Sequence, residues 1–230
     1  MAFLPDNKRV WFLSERDGWM HLYTLDVTDT SAKAKQLTSG KWEISNASLA
    51  RDGKKFYFTS TELHPGERHL YTVPLEGGAR TKITSLTGSN AAEVSPDEST
   101  LGLVYSYSTK PPEVYVMPNA PGAAAKQITT TPTAEWRSFN WIDPKVITFK
   151  ARDGVDVYAR LFTPEMIGAK RDPTRPGVVF VHGAGYLRSP HRHRHAVPRR
   201  LPGHPAYAGR APGRRAFRGF QPGWAVAGEF

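Results

Sequence analysis

Three short markers return in fixed order about 45 residues apart, and this repeat constrains the fold more than any other feature of the chain. The first is an apolar run: Val10-Trp11-Phe12-Leu13, Lys55-Phe56-Tyr57-Phe58-Thr59 and Leu101-Gly102-Leu103-Val104-Tyr105, with spacings of 45 and 47. The second is Leu22-Tyr23, Leu70-Tyr71 and Val114-Tyr115, spaced 48 and 44. The third is Gln36-Leu37-Thr38, Lys82-Ile83-Thr84 and Gln127-Ile128-Thr129, spaced 46 and 45. β-branched and aromatic runs bounded by Asp-Gly, Pro-Asp and Gly-Gly are strand and turn signals, and helix signals are weak. A unit of this length with several short antiparallel strands is the size of a propeller blade.

The middle copy predicts strands at Ile44–Leu49, Lys55–Thr59, Leu70–Val73 and Thr81–Thr84, and the next at Ala91–Val94, Gly102–Tyr107, Val114–Met117 and Lys126–Ile128. One four-stranded sheet cannot bury both faces alone, so such units stack, normally in rings of four or more. About three copies fit in residues 1–140, and the first is expected to lack its opening strand, as though the amino terminus were cut.

From Trp141 the pattern changes. Lys145–Lys150, a turn at Ala151-Arg152-Asp153-Gly154 and the alternating Asp156–Leu161 predict a hairpin. After a proline-rich loop, Gly177–Val181 is a continuous apolar run ending in His182-Gly183-Ala184-Gly185-Tyr186. Such a run predicts an interior strand, buried on both faces, at whose carboxyl end ligand sites form. A second domain is expected to start in 141–187.

Residues 188–230 differ again: 9 Arg, 7 Ala, 6 Pro, 6 Gly and 4 His make up 32 of 43 positions. The apolar residues there follow neither period, and no packed element is expected. The composition matches GC-rich coding sequence read out of frame, with a genuine basic tail as the alternative. This stretch also holds most of the formal charge of +10, because the residues before Arg188 carry 22 basic and 20 acidic groups. Basicity confined to a motif-free tail argues against a specific nucleic-acid partner. The chain has no cysteine, which excludes disulfides, thiol nucleophiles and zinc–thiolate sites. No run of about 18 apolar residues marks a membrane span, and Met1–Val10 lacks the apolar run expected of a secretory leader.

At this point the residues resemble a known family. Leu13-Ser14-Glu15-Arg16-Asp17-Gly18-Trp19 with His21-Leu22-Tyr23, Gly66-Glu67-Arg68-His69-Leu70-Tyr71, and Tyr105-Ser106-Tyr107-Ser108-Thr109-Lys110-Pro111-Pro112-Glu113 look like the propeller of bacterial dipeptidyl-peptidase IV-type enzymes of the prolyl oligopeptidase family (S9) of serine peptidases. Phe149-Lys150-Ala151-Arg152-Asp153-Gly154 and Val181–Tyr186 resemble the start of that family's α/β-hydrolase domain. The resemblance runs from residue 1 to about 187. It implies a mostly β chain, with terminal propeller blades in 1–140 and the first hydrolase strands in 141–187. It further implies a parent enzyme that removes N-terminal dipeptides, often after proline, from peptides with a free amino terminus. A homodimer and a periplasmic or secreted location are compatible with it.

The triad of such an enzyme needs a Gly-x-Ser-x-Gly elbow followed by an Asp and a His. No serine here has glycine both two before and two after it, and no Asp follows Asp172. The isolated chain is therefore expected to be inactive. By resemblance Tyr186 is the oxyanion donor of the intact enzyme, a role suited to a neutral phenol. His182, lacking a nucleophile within reach, is expected to fix the glycine loop, and Gly183 and Gly185 to allow close backbone approach.

Glu67, Arg68 and His69 are read as surface hairpin residues. Trp11, Trp19, Trp42, Trp136 and Trp141 are read as packing between blades, and Arg16–Asp17 and Arg51–Asp52 as turn braces. His191, His193 and His195 offer at most an adventitious metal site, so no metal or cofactor is assigned. A propeller-type protein-binding module without catalysis is the alternative reading.

Overall fold

The computed structural model describes residues 1–174, 176–181 and, for the backbone alone, 225–229. The described residues form two compact units, one over Met1–Asn140 and one beginning at Trp141.

The first unit holds three four-stranded antiparallel sheets. They are β1 (Ala2–Phe3), β2 (Arg9–Ser14), β3 (His21–Asp26) and β4 (Lys35–Gln36); β5 (Ile44–Leu49), β6 (Lys55–Ser60), β7 (His69–Pro74) and β8 (Thr81–Lys82); and β9 (Ser89–Val94), β10 (Thr100–Tyr107), β11 (Lys110–Pro118) and β12 (Lys126–Gln127). Each sheet is built in chain order, as expected of propeller-like blades. The first sheet does have an opening strand: Ala2 and Phe3 pair with Trp11 and Val10, which corrects the expectation that it was missing. Two residues were too few to register as a run.

The same turn joins the first two strands of each blade. Asp6, Asp52 and Asp97 accept hydrogen bonds from the backbone N–H two residues on, and the intervening Asn7, Gly53 and Glu98 have φ of 56°, 67° and 57°. Asn and Gly tolerate this left-handed backbone easily, whereas Glu does not. Glu98 is held there by its contacts: its carboxylate accepts from the Arg51 backbone N–H (2.7 Å) and the Tyr57 hydroxyl (3.2 Å).

The blades share their cores. Alternation along β6 and β7 sends Phe56, Phe58, Tyr71 and Val73 toward the first blade, where they pack with Leu4, Leu22, Leu37 and Trp42. It sends Tyr57 and Leu70, with Ile83, toward Leu101, Leu103 and Met117 of the third blade. Trp11 meets Phe56 edge-on at 5.6 Å, and Trp42 stacks on Phe58 at 6.5 Å, in accord with the packing role expected of these two tryptophans.

In the second unit, β13 (Lys145–Lys150) and β14 (Asp156–Phe162) form the expected hairpin, with Gly154 at φ 81° in its turn. β15 (Gly177–Val181) and β16 (Ala225–Glu229) complete a mixed sheet in the order β13-β14-β16-β15, with β16 parallel to β14 and antiparallel to β15. Two expectations change here. β15 is the end strand of the described sheet, and Val178 to Val181 are 49–67% exposed rather than buried, because no described element covers either face. A strand also lies within 188–230, where none was expected; ladder pairing uses backbone groups, which every non-proline residue carries. An α/β core needs helices on its sheet. The described residues contain only α1 (Ala134–Ser138) and a 3₁₀ turn at Pro164–Ile167, so the architecture is mostly β.

Candidate functional site

His182, Gly183, Gly185 and Tyr186 lie outside the described residues; the strand leading to them, β15, is described up to Val181. The histidines at 191, 193 and 195 lie outside as well. Among the described residues no group of three or more His, Asp or Glu side chains is placed to hold a metal ion.

The polar chemistry that is described sits at the joints between blades. His69 is the reverse of a surface residue: it is 1% exposed, with Nε2 2.8 Å from Glu67 Oε2 and Nδ1 3.3 Å from Thr84 Oγ1. Thr84 is equally buried and its Oγ1 accepts from the Leu70 backbone N–H at 3.0 Å. The hairpin reading fails for His69 because the strand already begins there, opposite Ser60.

The first blade repeats the arrangement. His21 is fully buried, its Nε2 3.0 Å from the Gly40 carbonyl and its Nδ1 3.2 Å from Thr38 Oγ1, which accepts from the Leu22 N–H at 3.1 Å. A carbonyl can only accept, so a neutral His21 carries its proton on Nε2, and Thr38 donates to Nδ1. In the third blade Glu113 takes the place of histidine. Thr129 donates to its carboxylate and accepts from the Val114 N–H at 2.9 Å, while Thr131 donates through both N–H (2.7 Å) and hydroxyl (2.8 Å). Hydrogen bonds from Thr129 and then Thr131 hold the Glu113 carboxyl below its ordinary range, against the opposing effect of burial.

The two histidine clamps stand where one blade hands the chain to the next. The carbonyl before each histidine accepts from the next blade's first strand: Ile44 N–H to Met20 and Asn90 N–H to Arg68, each at 2.9 Å. Gly40 and Gly88, in the connecting segments, have φ of 139° and 127°; a Cβ on Gly88 would stand 2.4 Å from the Ser106 carbonyl oxygen. Asn90 is fully buried and donates to the Arg68 and Leu86 carbonyls at 2.9 and 2.8 Å. The sequence signal for the clamps was present in the markers: the residue before each Leu-Tyr or Val-Tyr pair, and the threonine closing each third marker.

The Glu67–His69 pair has the composition of a base with its orienting carboxylate. A base needs a nucleophile and an approach for substrate. The nearest hydroxyl, that of Thr84, is committed to Leu70, and the ring is sealed from solvent. The geometry is that of a structural joint.

Tyr105 and Tyr71 are pushed up to about 12 by burial, so both remain neutral phenols; Tyr105 donates to the Thr87 carbonyl at 2.7 Å. The acidic residues of the turns act as expected, Asp17 accepting from the Trp19 N–H and Asp52 from the Lys54 N–H.

Residues 1–112 match the family described as dipeptidyl peptidase IV (DPP IV) N-terminal region. Dipeptidyl peptidase 4 of Trichophyton equinum is 35% identical over 119 residues, which is 50% of this chain and 15% of that protein. Dipeptidyl peptidase 4 of Arthroderma otae is 36% identical over 104 residues, 44% of this chain and 13% of the relative. The probable dipeptidyl peptidase 4 of Aspergillus fumigatus is 35% identical over 115 residues, 48% and 14% respectively. The matched stretch thus spans about 15% of the length of these relatives. They are fungal, and the bacterial type named above draws no support from them. Over its first half the chain is distantly homologous to fungal dipeptidyl peptidase 4.

Proposed function

We propose that the chain contributes propeller blades and the opening strands of a hydrolase domain to a serine exopeptidase that removes N-terminal dipeptides, often after proline, by acyl transfer. The observation that carries this reading is the match of residues 1–112 to the dipeptidyl peptidase IV N-terminal region, over a segment that folds as two four-stranded sheets and the opening strands of a third. In the intact enzyme the blades would restrict entry to peptide termini, and Tyr186 would donate to the tetrahedral oxyanion, a contribution worth roughly 3 kcal/mol in comparable sites. His182, Gly183 and Gly185 would shape the loop around it. The substrate is a peptide with a free amino terminus and the enzyme is secreted or periplasmic.

By itself the 230-residue chain is inactive, since no Gly-x-Ser-x-Gly elbow and no Asp after Asp172 occurs in it. Residues 188–230 are, on this reading, a frameshift product. The encoding DNA tests it: another frame from codon 188 should continue with an apolar strand pattern, a Gly-x-Ser-x-Gly elbow, then an Asp and a His. Absence of that elbow from both other frames would remove the frameshift.

A protein-binding module without catalysis is the second reading, favoured by one observation. Val104, Val114 and Val116, on a face of the third blade, are 48%, 40% and 38% exposed. Leu70, the counterpart of Val114 in the second blade, is covered by the third. A soluble monomer melting cooperatively would favour the module, and self-association through open sheet faces and edges would favour the exopeptidase segment.

A further inference from the structure

Strand alternation sorts the side chains of the third blade onto two faces. Leu101, Leu103, Tyr115 and Met117 turn toward the second blade. Gly102, Val104, Val114 and Val116 turn the other way. Across the ladder Val104 lies between Ala91 and Val114, and Ile128, whose backbone N–H donates to the Val114 carbonyl at 2.7 Å, ends that row. The neighbouring row runs Glu93, Gly102, Val116, Lys126, again one residue from each of β9 to β12.

The first row is apolar and exposed along its whole length, Ile128 at 56%. On the second blade the same face is covered: Leu70 and Ile83, the counterparts of Val114 and Ile128, pack into the core shared with the third. One position departs from that pattern. Where the covered face carries Tyr57 opposite Thr72, the outward face has Gly102 opposite Val116, and a Cβ on Gly102 would meet nothing within 4 Å. The outward face thus sets a hole beside a knob. Glu93 and Lys126 stand at the two edges of the same row, both exposed, and among the described residues neither has an ion-pair partner.

We propose that this face pairs with the same face of a second copy of the chain, about a two-fold axis running parallel to the strands. Such an axis lays β9 of one copy over β12 of the other and β10 over β11. Val116 of each copy then seats over Gly102 of the other, Val104 faces Val114, and Glu93 meets Lys126, every contact occurring twice. A two-fold across the strands would set each edge over itself, acid near acid and base near base, so the charges select the first arrangement. An isologous contact of this kind consumes the face and closes at two copies. The proposal rests on this face alone and needs no catalytic group.

Sedimentation equilibrium of the full chain tests it, and should show monomer and dimer with no larger species. Glu93→Lys and Lys126→Glu should each weaken the dimer at least about tenfold, because like charges then face each other twice. An equimolar mixture of these two variants should regain it, since every facing pair is again opposite in sign. Gly102→Val should weaken it as strongly by filling the seat of Val116. The added side chain stands in open space within its own copy, so the far-ultraviolet circular dichroism of that variant should match the unaltered chain. The proposal is overturned if the chain is monomeric across the micromolar range, if association runs past two copies, as head-to-tail stacking of blades would, if the mixture stays monomeric, or if Gly102→Val dimerises as the unaltered chain does.

Discussion

Thr38, Thr84 and Thr129 each occupy one hydroxyl with two partners, a backbone N–H on the third strand and the side chain of His21, His69 or Glu113. Replacing the hydroxyl by a methyl leaves a buried N–H without its acceptor. Thr84→Val should therefore lower stability by about 1–3 kcal/mol, read from urea unfolding midpoints, and a value near zero would mean that Leu70 finds another acceptor.

The third blade adds a pH dependence. The folded Glu113 carboxyl lies below its unfolded value, so its bonds stabilise the fold above the ordinary carboxylate range, and that contribution is lost as pH falls through the folded value. Thr129→Val should thus be more destabilising at neutral pH than in acid, and an equal penalty at both would show that the carboxylate is not the partner that matters. These residues were visible in the sequence as parts of the markers. Their burial was not, because a His or Glu beside a Leu-Tyr or Val-Tyr pair looks the same whether it faces water or the protein interior.

At the scale of the element, the strands of the second and third blades were largely legible, β10 because it alternates and β6 because it is a continuous aromatic run buried between neighbours, each bounded by turn residues. What escaped was the two-residue β1, too short to alternate, and the exposure of β15, whose apolar run reads the same with or without a cover. Phe58 is fully buried between the first two blades and stacks between Trp42 and Tyr71. Phe58→Ala should cost about 3–5 kcal/mol in equilibrium unfolding, and a loss below about 1 kcal/mol would mean that the two sheets do not share a core. The opposite holds for the outward face of the third blade. Val114→Lys should leave stability nearly unchanged and shift the sedimentation profile toward monomer; unchanged association would place the sticky surface elsewhere.

For the whole molecule, the repeat near 45 residues carried both the blade architecture and the family resemblance, and the match over residues 1–112 agrees with it. The site residues could not be read to the same depth. His182, Gly183, Gly185 and Tyr186 were assigned by resemblance at the end of β15, and a loop's role depends on groups brought to it from elsewhere in a fold. The bulge at Asn46 in β5 was illegible for another reason: a bulge is set by register, and register belongs to two strands at once.

The proposal that this polypeptide supplies blades and a domain junction without the machinery of peptide hydrolysis is tested most directly with a fluorophosphonate active-serine probe on the purified 230-residue chain. The account predicts no labelling beyond that of the heat-denatured protein. Stoichiometric labelling of one serine, abolished by denaturation, would contradict it.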